Sequence, residues 1–217
     1  MEDNNLRLSE ISFPEAEGYL RTHFKRYQEI RGVSLATNYE NLRERLLGGP
    51  GMARNQMPVI EPDQIKDLVR DLKLSTDTIL TALRTVMTEV PNAPLATESK
   101  TSADILFPTQ EDVYLDKLVR GWNEYGFPGT EDKKILTLPL IVAQDGYLMD
   151  GHHRWASVFL INKSLQLATV SIPLDWTALV EFLKGYSEEI GNVAKESVSN
   201  MVERLRQARM KLQQGSL

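Results

Sequence analysis

The spacing of the apolar residues differs between the two halves of this chain, and this difference constrains the fold more than any other feature. In the first half apolar residues recur every three or four positions, which indicates amphipathic helices. The first predicted helix begins at Ser12 and stops at Gly32, and its apolar stripe consists of Tyr19, Leu20, Phe24, Tyr27 and Ile30. Further helices are predicted over residues 38–47, 62–72 and 76–90, and the Gly-Gly-Pro-Gly cluster at 48–51 predicts a joint.

The second half of the chain, beyond a polar loop over residues 91–108, mixes strand and helix patterns. Thr109 is predicted to cap a helix that ends at Tyr125. Residues 135–142 are rich in β-branched and apolar types, and Pro139 among them favours an edge strand. The pattern then predicts a tight turn at Asp145-Gly146, a return strand over 147–149, a helix over 153–161 and a strand over 165–174.

Together these patterns predict an α+β fold, in which a small mixed α/β domain joins a mainly helical N-terminal region and a C-terminal helix. The predicted boundaries are 1–100 for the helical region, 101–186 for the α/β domain and 187–217 for an amphipathic helix. In the last segment apolar residues alternate at spacings of four and three: Ala194, Val198, Met201, Leu205, Ala208 and Leu212. This apolar seam over 194–212 is compatible with two arrangements. The helix can pack on its own domain, or it can pair with a second copy in a homo-oligomer, and the sequence favours neither.

Composition excludes several classes of chemistry. The 217 residues include no cysteine, which rules out disulfides, Cys-ligated zinc, iron–sulfur clusters and thiolate nucleophiles. The net charge of −5 gives no overall attraction to nucleic acid or anionic lipid. Because no apolar run approaches the length of a membrane span and the N-terminus is acidic and polar, we expect a cytoplasmic protein without a membrane partner.

The charges are unevenly distributed along the chain. Residues 61–132 hold 14 acidic and 7 basic side chains. The tail has the opposite sign, with Arg204, Arg206, Arg209 and Lys211 against a single Glu203. Such runs are most often solvated faces, but the basic tail leaves nucleic acid open as a partner.

One short segment, residues 150–154, concentrates side chains that suit a phosphate ligand. Gly151 lets a phosphate oxygen approach backbone N–H groups, and the following helix presents its unpaired N–H donors. Arg154 offers a planar fork that matches phosphate geometry. His152 or His153 can donate to a phosphate oxygen or move a proton, and Asp150 can hold Mg²⁺, orient a histidine or act as a base.

Each of these residues also has an ordinary structural explanation. Asp150 can cap the helix, Gly151 can serve only the turn, and Arg154 can pair with a surface carboxylate. One residue of the pair His152 and His153 is expected to be structural, because successive helical residues face different ways. Five such residues at one turn nevertheless exceed what capping requires, so the segment is predicted to be a functional site.

Residues 138–142, the Asp145-Gly146 hairpin and the Asp-Gly-His-His-Arg turn at 150–154 together resemble the ParB/sulfiredoxin-like superfamily. The run Pro108-Thr109-Gln110 before a helix resembles the start of that domain, and the match covers roughly residues 105–175. Members of the superfamily grip a nucleotide phosphate with this turn. The missing cysteine excludes sulfiredoxin activity, and the histidine-rich turn is more similar to the free-serine-kinase and ParB-like nuclease branches than to partition proteins.

The resemblance implies a nucleoside di- or triphosphate (ATP/ADP or CTP) bound with Mg²⁺, and phosphoryl transfer or NTP hydrolysis as the reaction. It implies phosphate-binding roles for Gln110, Gly151, His153 and Arg154, catalytic roles for Glu111, Asp150, His152 and His153, and Mg²⁺ at Asp150. Two alternatives remain open. One is a nuclease that acts on DNA or RNA phosphates, and the other is a non-catalytic nucleotide switch or assembly scaffold.

Overall fold

The computed structural model describes residues 6–30, 34–61, 63–74, 96–128 and 134–192. This part of the chain forms an α+β fold, as predicted, with helices packed on both faces of one mixed sheet. In the same ranges no helix is both long and apolar enough to cross a membrane. The predicted helix over 76–90 and the seam over 194–212 lie outside the described residues, as does the basic tail.

The described elements follow one another in this order. The helices are α1 (Phe13–His23), α2 (Tyr27–Ile30), α3 (Leu35–Gly48), α4 (Ile65–Leu74), α5 (Leu115–Tyr125), α6 (Lys134–Thr137), α7 (His152–Asn162) and α8 (Trp176–Glu189). The strands are β1 (Thr97–Ser102), β2 (Phe107–Pro108), β3 (Leu140–Ala143), β4 (Tyr147–Leu148) and β5 (Gln166–Ile172). Single 3₁₀ turns lie at Arg54–Gln56 and Ala103–Ile105.

The sheet has the order β1-β5-β3-β4-β2, with β3 at its centre. β3 runs parallel to β5 and antiparallel to β4. The turn predicted at Asp145-Gly146 joins β3 to β4: Gly146 has φ +85°, and its N–H donates to the Ala143 carbonyl oxygen. The predicted edge strand over 135–142 is therefore wrong in two respects. Ile135 belongs to helix α6, and Pro139 precedes the strand, so its missing N–H leaves the central ladder intact.

Alternate residues of β3 enter two hydrophobic clusters, one on each face of the sheet. Leu140 and Val142 pack with α1, α3, α5 and α7, whereas Ile141 and Ala143 pack with α4 and α8. This burial on both faces explains why the strand reads as a continuous apolar run. The first cluster contains residues from both sides of the predicted boundary near residue 100, and the division into 1–100 and 101–186 stays a prediction.

The predicted helix from Ser12 to Gly32 is interrupted. Ser12 starts α1 with a capping box, in which its N–H donates to the Glu15 carboxylate at 2.8 Å. The helix ends at His23 because Phe24 turns to an extended conformation and places its ring 4.7 Å from that of Trp122. Helix α1 thus ends where the Phe24 ring becomes buried against α5.

Thr109 does not cap a helix, because α5 begins six residues later at Leu115. Its hydroxyl is buried and donates to the Leu148 carbonyl oxygen at 2.6 Å.

The Gly-rich segment at 48–51 packs closely against the segment that contains Pro108, since a Cβ on Gly49 would lie 2.6 Å from the Pro108 carbonyl oxygen. Strand β1 and helix α8 have no counterpart among the predictions.

Candidate functional site

The turn between β4 and α7 has a backbone that favours glycine. Gly151 precedes the helix with φ +84° and ψ 21°, in the left-handed region. A Cβ atom there would lie 2.2 Å from Cδ2 of Leu140 and 3.0 Å from Nη2 of Arg154. The approach of these two side chains to the turn therefore depends on the absence of a side chain at Gly151.

A cavity of about 240 Å³ opens beside this turn. Its lining contains all five residues of the predicted turn, 150–154, together with Gln110. Three further polar residues, which the sequence did not single out, complete it: Arg54, Glu61 and Tyr125. Met57, Val59, Ile60 and Met149 supply the apolar part of the lining. We call this space the α7 cavity.

His152 has a structural set of contacts. The residue is 4% exposed, and its Nε2 accepts the Thr109 N–H at 3.2 Å and lies 3.0 Å from the Thr109 hydroxyl. Because a backbone N–H can only donate, the Thr109 N–H makes Nε2 an acceptor that carries no proton. Burial lowers the pKa of His152 to about 3, and Arg54 adds to the effect. His152 thus ties the start of α7 to the segment after β2 as a neutral ring.

His153 faces the cavity but is also uncharged at neutral pH. Its Nε2 accepts the Tyr114 N–H at 3.3 Å, and its ring stacks on that of Tyr114. Burial lowers the pKa of His153 to about 3, and the nearby Lys117 cation lowers it further. Since Nε2 accepts, the proton of the neutral ring resides on Nδ1. His153 can therefore offer a ligand one N–H donor, and not a positive charge.

Arg154 braces the turn that precedes β3. Its side chain is 7% exposed, with Nη1 donating to the Leu138 carbonyl oxygen at 2.6 Å and Nη2 to that of Pro139 at 3.0 Å. Nη2 also lies 3.5 Å from Oδ2 of Asp150. These three contacts occupy three of the five N–H groups of the guanidinium. The residue expected to grip phosphate is thus largely engaged with the protein itself.

Asp150 is a partly buried carboxyl, with its side chain 22% exposed. Burial raises its pKa, while Arg154, Arg54 and the Gly151 N–H act in the opposite direction. Glu61, another lining residue, adds a second carboxylate and contributes to raising the pKa of Asp150. The α7 cavity therefore contains two arginines and two acidic side chains.

The two residues expected upstream of the turn are placed differently. Gln110 is 5% exposed and lines the cavity, with Nε2 donating to the Asp112 carbonyl oxygen at 3.1 Å. Glu111 is not among the lining residues. Its side chain is 40% exposed, and Oε1 lies 3.9 Å from Nη1 of Arg7. The structure does not bring the predicted base Glu111 into the cavity, and Glu61 provides the additional carboxylate there.

The donor set of the cavity bears on the predicted Mg²⁺. Within the described ranges no group of three or more His, Asp or Glu side chains is arranged to hold a metal ion. Mg²⁺ is commonly held by one or two carboxylates, with substrate phosphates and water as the other ligands. Asp150 and Glu61 fit that pattern only in combination with a phosphate ligand.

Comparison of the chain with protein-family models, with curated proteins and with solved structures gives no match. The resemblance to the ParB/sulfiredoxin-like superfamily therefore stays a prediction from the residues that carry it.

Proposed function

We propose that this protein binds the phosphates of a nucleoside di- or triphosphate, ATP/ADP or CTP, with Mg²⁺ in the α7 cavity. The proposed reaction is phosphoryl transfer or NTP hydrolysis. One observation carries the proposal: two arginines, two carboxylates and the first turn of an eleven-residue helix meet at a single cavity. Helix N-termini and arginines favour phosphate, and carboxylates supply ligands for the metal that accompanies it.

The size of the cavity limits what enters it. Pockets that enclose whole organic ligands measure about 300–1,000 Å³, whereas this one measures about 240 Å³. The phosphates therefore occupy the cavity, and the nucleoside lies outside it. Recognition of the base would then rest on residues beyond the turn 150–154.

Arg54 is the residue best placed to bind phosphate. It is exposed, and its Nη1 donates to the Pro58 carbonyl oxygen at 3.1 Å, within its own loop. Arg154 supplies positive charge from the cavity wall while bracing the turn before β3. Backbone N–H groups at the start of α7 and the Nδ1 proton of His153 complete the donor set.

The chemistry proposed is an in-line displacement at the terminal phosphorus. A bond forms from an acceptor oxygen, or from water in hydrolysis, to the terminal phosphorus, and the bond from that phosphorus to the oxygen of the leaving nucleoside di- or monophosphate breaks. The proton of the acceptor passes to a phosphate oxygen or to solvent. Asp150 and Glu61 would hold Mg²⁺, which would supply neutralisation of the charge that develops on the phosphate oxygens. Arg54 and Arg154 stabilise the same charge, so that positioning and electrostatics provide the rate enhancement.

A second candidate, a nucleotide switch without catalysis, is supported by the state of the histidines. His152 and Arg154 hold separate chain segments together, and the pKa values of His152 and His153 are lowered to about 3. Neither ring acts as a general base near neutral pH at such values. A ligand at this cavity would act on the contacts between α7 and the segments around it.

A thermal-shift screen with ATP, ADP, CTP and GTP, with and without Mg²⁺, tests the proposal when it is combined with an assay for released phosphate. A ligand that binds the native state raises the melting temperature. We expect a Mg²⁺-dependent shift that the Arg54→Ala variant loses and that Arg120→Ala, an exposed substitution on α5, retains. Binding with turnover supports the enzyme, and binding without turnover supports the switch. If none of the four nucleotides shifts the wild type, both proposals are wrong.

A further inference from the structure

We propose that Asn192, just beyond α8, is a positioning residue for the α7 cavity because it fixes the wall that carries Glu61. This inference rests on the proposed function, since the wall matters only if the cavity binds a ligand. Asn192 is more than 120 residues away from that wall in sequence, and it does not line the cavity.

The wall in question is the irregular segment formed by Val59, Ile60 and Glu61, between the 3₁₀ turn and α4. All three residues line the cavity. The segment belongs to no helix or strand, so its backbone groups must be satisfied by side chains, by other backbone groups or by water. Its conformation therefore depends on the partners that those groups find.

Asn192 supplies the central contacts. Its Nδ2 donates to the Val59 carbonyl oxygen at 2.8 Å and to Oε1 of Gln64 at 2.6 Å. The same Gln64 oxygen accepts the N–H of Glu61 at 2.9 Å. Gln64 returns a hydrogen bond from Nε2 to Oδ1 of Asn192 at 3.3 Å. The backbone of Glu61 is thus linked to Asn192 through one intervening amide.

Ser187, near the end of α8, adds to the same arrangement. Its hydroxyl lies 2.9 Å from the Val59 carbonyl oxygen and 3.2 Å from that of Asn192, and the residue is 4% exposed. The Val59 oxygen consequently accepts from two side chains, both close to the end of α8. This pair and Gln64 hold the two backbone groups that flank Ile60.

The hydrogen bonds of Asn192, Gln64 and Ser187 to this wall form a clamp on its backbone. Ligand binding and this clamp are therefore thermodynamically linked. Any ligand whose affinity depends on the position of Glu61 binds more weakly when the clamp is broken, and the bound ligand in turn strengthens the clamp. Couplings of this kind change affinity about 5- to 150-fold. We expect a loss of about tenfold for the isosteric Asn192→Asp variant, which removes both donors and places a carboxylate against two acceptor oxygens.

Hydrogen exchange of the ligand-free protein provides the first measurement. In Asn192→Asp the amides of Val59, Ile60, Glu61 and Gln64 should exchange at least about tenfold faster than in wild type, a ratio within the range of such couplings. The Ser187→Ala variant, which keeps the Asn192 donors, should give a smaller increase. Tyr186→Phe is the matched control, because it deletes a 3.0 Å hydrogen bond to Asp71 in the same corner and leaves the wall contacts intact.

Titration with Mg·ATP, well below the melting temperature of each variant, provides the second measurement. The proposal requires weaker binding in Asn192→Asp and unchanged binding in Tyr186→Phe. Unchanged exchange of these four amides, or faster exchange with unchanged Mg·ATP affinity, overturns it. If the wild type binds no nucleotide, the proposed function fails, and the exchange result alone decides whether Asn192 positions the wall.

Discussion

Nη2 of Arg154 lies 3.5 Å from Oδ2 of Asp150, across the turn that begins α7. The same guanidinium donates to the carbonyl oxygens of Leu138 and Pro139. One side chain thereby joins the start of α7 to the segment that leads into the central strand β3. A residue that the sequence marks as a phosphate ligand is also part of the framework that shapes the cavity.

Replacement of Arg154 by lysine should destabilise the fold. A single ammonium group cannot reach both carbonyl oxygens and Asp150 together, and hydrogen bonds to charged groups contribute about 1.5–3 kcal/mol each. We expect the free energy of unfolding to fall by about 2 kcal/mol, measured by urea denaturation. Arg120→Lys, at an exposed pair with Asp116 on α5, is the control and should change it little. Equal effects of the two substitutions would contradict the bracing role.

Gly151→Ala should be strongly destabilising, whereas Gly18→Ala should not. At Gly151 the left-handed backbone alone costs about 1–2 kcal/mol for a residue with a Cβ, and the new methyl would meet Leu140 at 2.2 Å. At Gly18, within α1, a Cβ meets nothing within 4 Å, and alanine should stabilise the helix by up to about 1 kcal/mol. Thermal unfolding of both variants checks this, and equal melting temperatures would contradict it.

Stability should fall as the pH is lowered from 7.5 to 5.5. The pKa values of His152 and His153 in the folded protein are lowered to about 3, while unfolded histidines have pKa values of about 6.5. The unfolded state therefore takes up protons first. Each histidine that stays neutral in the folded state lowers the free energy of unfolding by about 1.4 kcal/mol over this interval. The raised pKa of Asp150 acts in the opposite direction, because the folded state then binds its proton more readily.

The His152→Gln variant isolates one of these contributions. Its free energy of unfolding should depend less steeply on pH between 7.5 and 5.5 than that of the wild type, whatever its absolute stability. Urea denaturation at several pH values gives both slopes. Equal slopes for His152→Gln and the wild type would show that His152 is not held neutral by burial.

Local chemistry made much of the fold predictable from the sequence. The Ser12 start of α1, the Asp145-Gly146 turn and the strand-to-helix turn at 150–154 all depend on neighbouring residues, and the structure has each of them. The helix predicted over 38–47 corresponds to α3, and the strand predicted over 165–174 to β5.

The errors arise where distant residues decide the conformation. Phe24 is not part of the helix, because its ring packs on that of Trp122. The Thr109 hydroxyl contacts His152 and Leu148 and does not cap a helix. Strand β1 is polar and mostly exposed at the sheet edge, so it has no apolar alternation to mark it. Its pairing with β5 is a long-range contact.

The part of the candidate site that could be predicted comes from residues 150–154 and Gln110. The five residues 150–154 and Gln110 share one cavity, as the motif suggested. Arg54 and Glu61 come from a loop about 90 residues earlier, and no local pattern connects them with the turn. Glu111, adjacent to Gln110 in sequence, lies outside the lining of the cavity beside Arg7.

Isothermal titration of Mg·ATP, Mg·ADP and Mg·CTP into the wild type and the Arg54→Ala variant tests the central claim most directly. Arg54 lines the cavity, and in the part of the chain that the structure describes its hydrogen bond is to Pro58 of its own loop, so its removal should leave the fold intact. We predict that at least one of these nucleotides binds the wild type and that its affinity falls at least about tenfold in Arg54→Ala, as for the loss of a charged hydrogen bond. Arg120→Ala should bind as the wild type does. Equal affinities of wild type and Arg54→Ala, or no binding by the wild type, would contradict the assignment of the α7 cavity as a phosphate site.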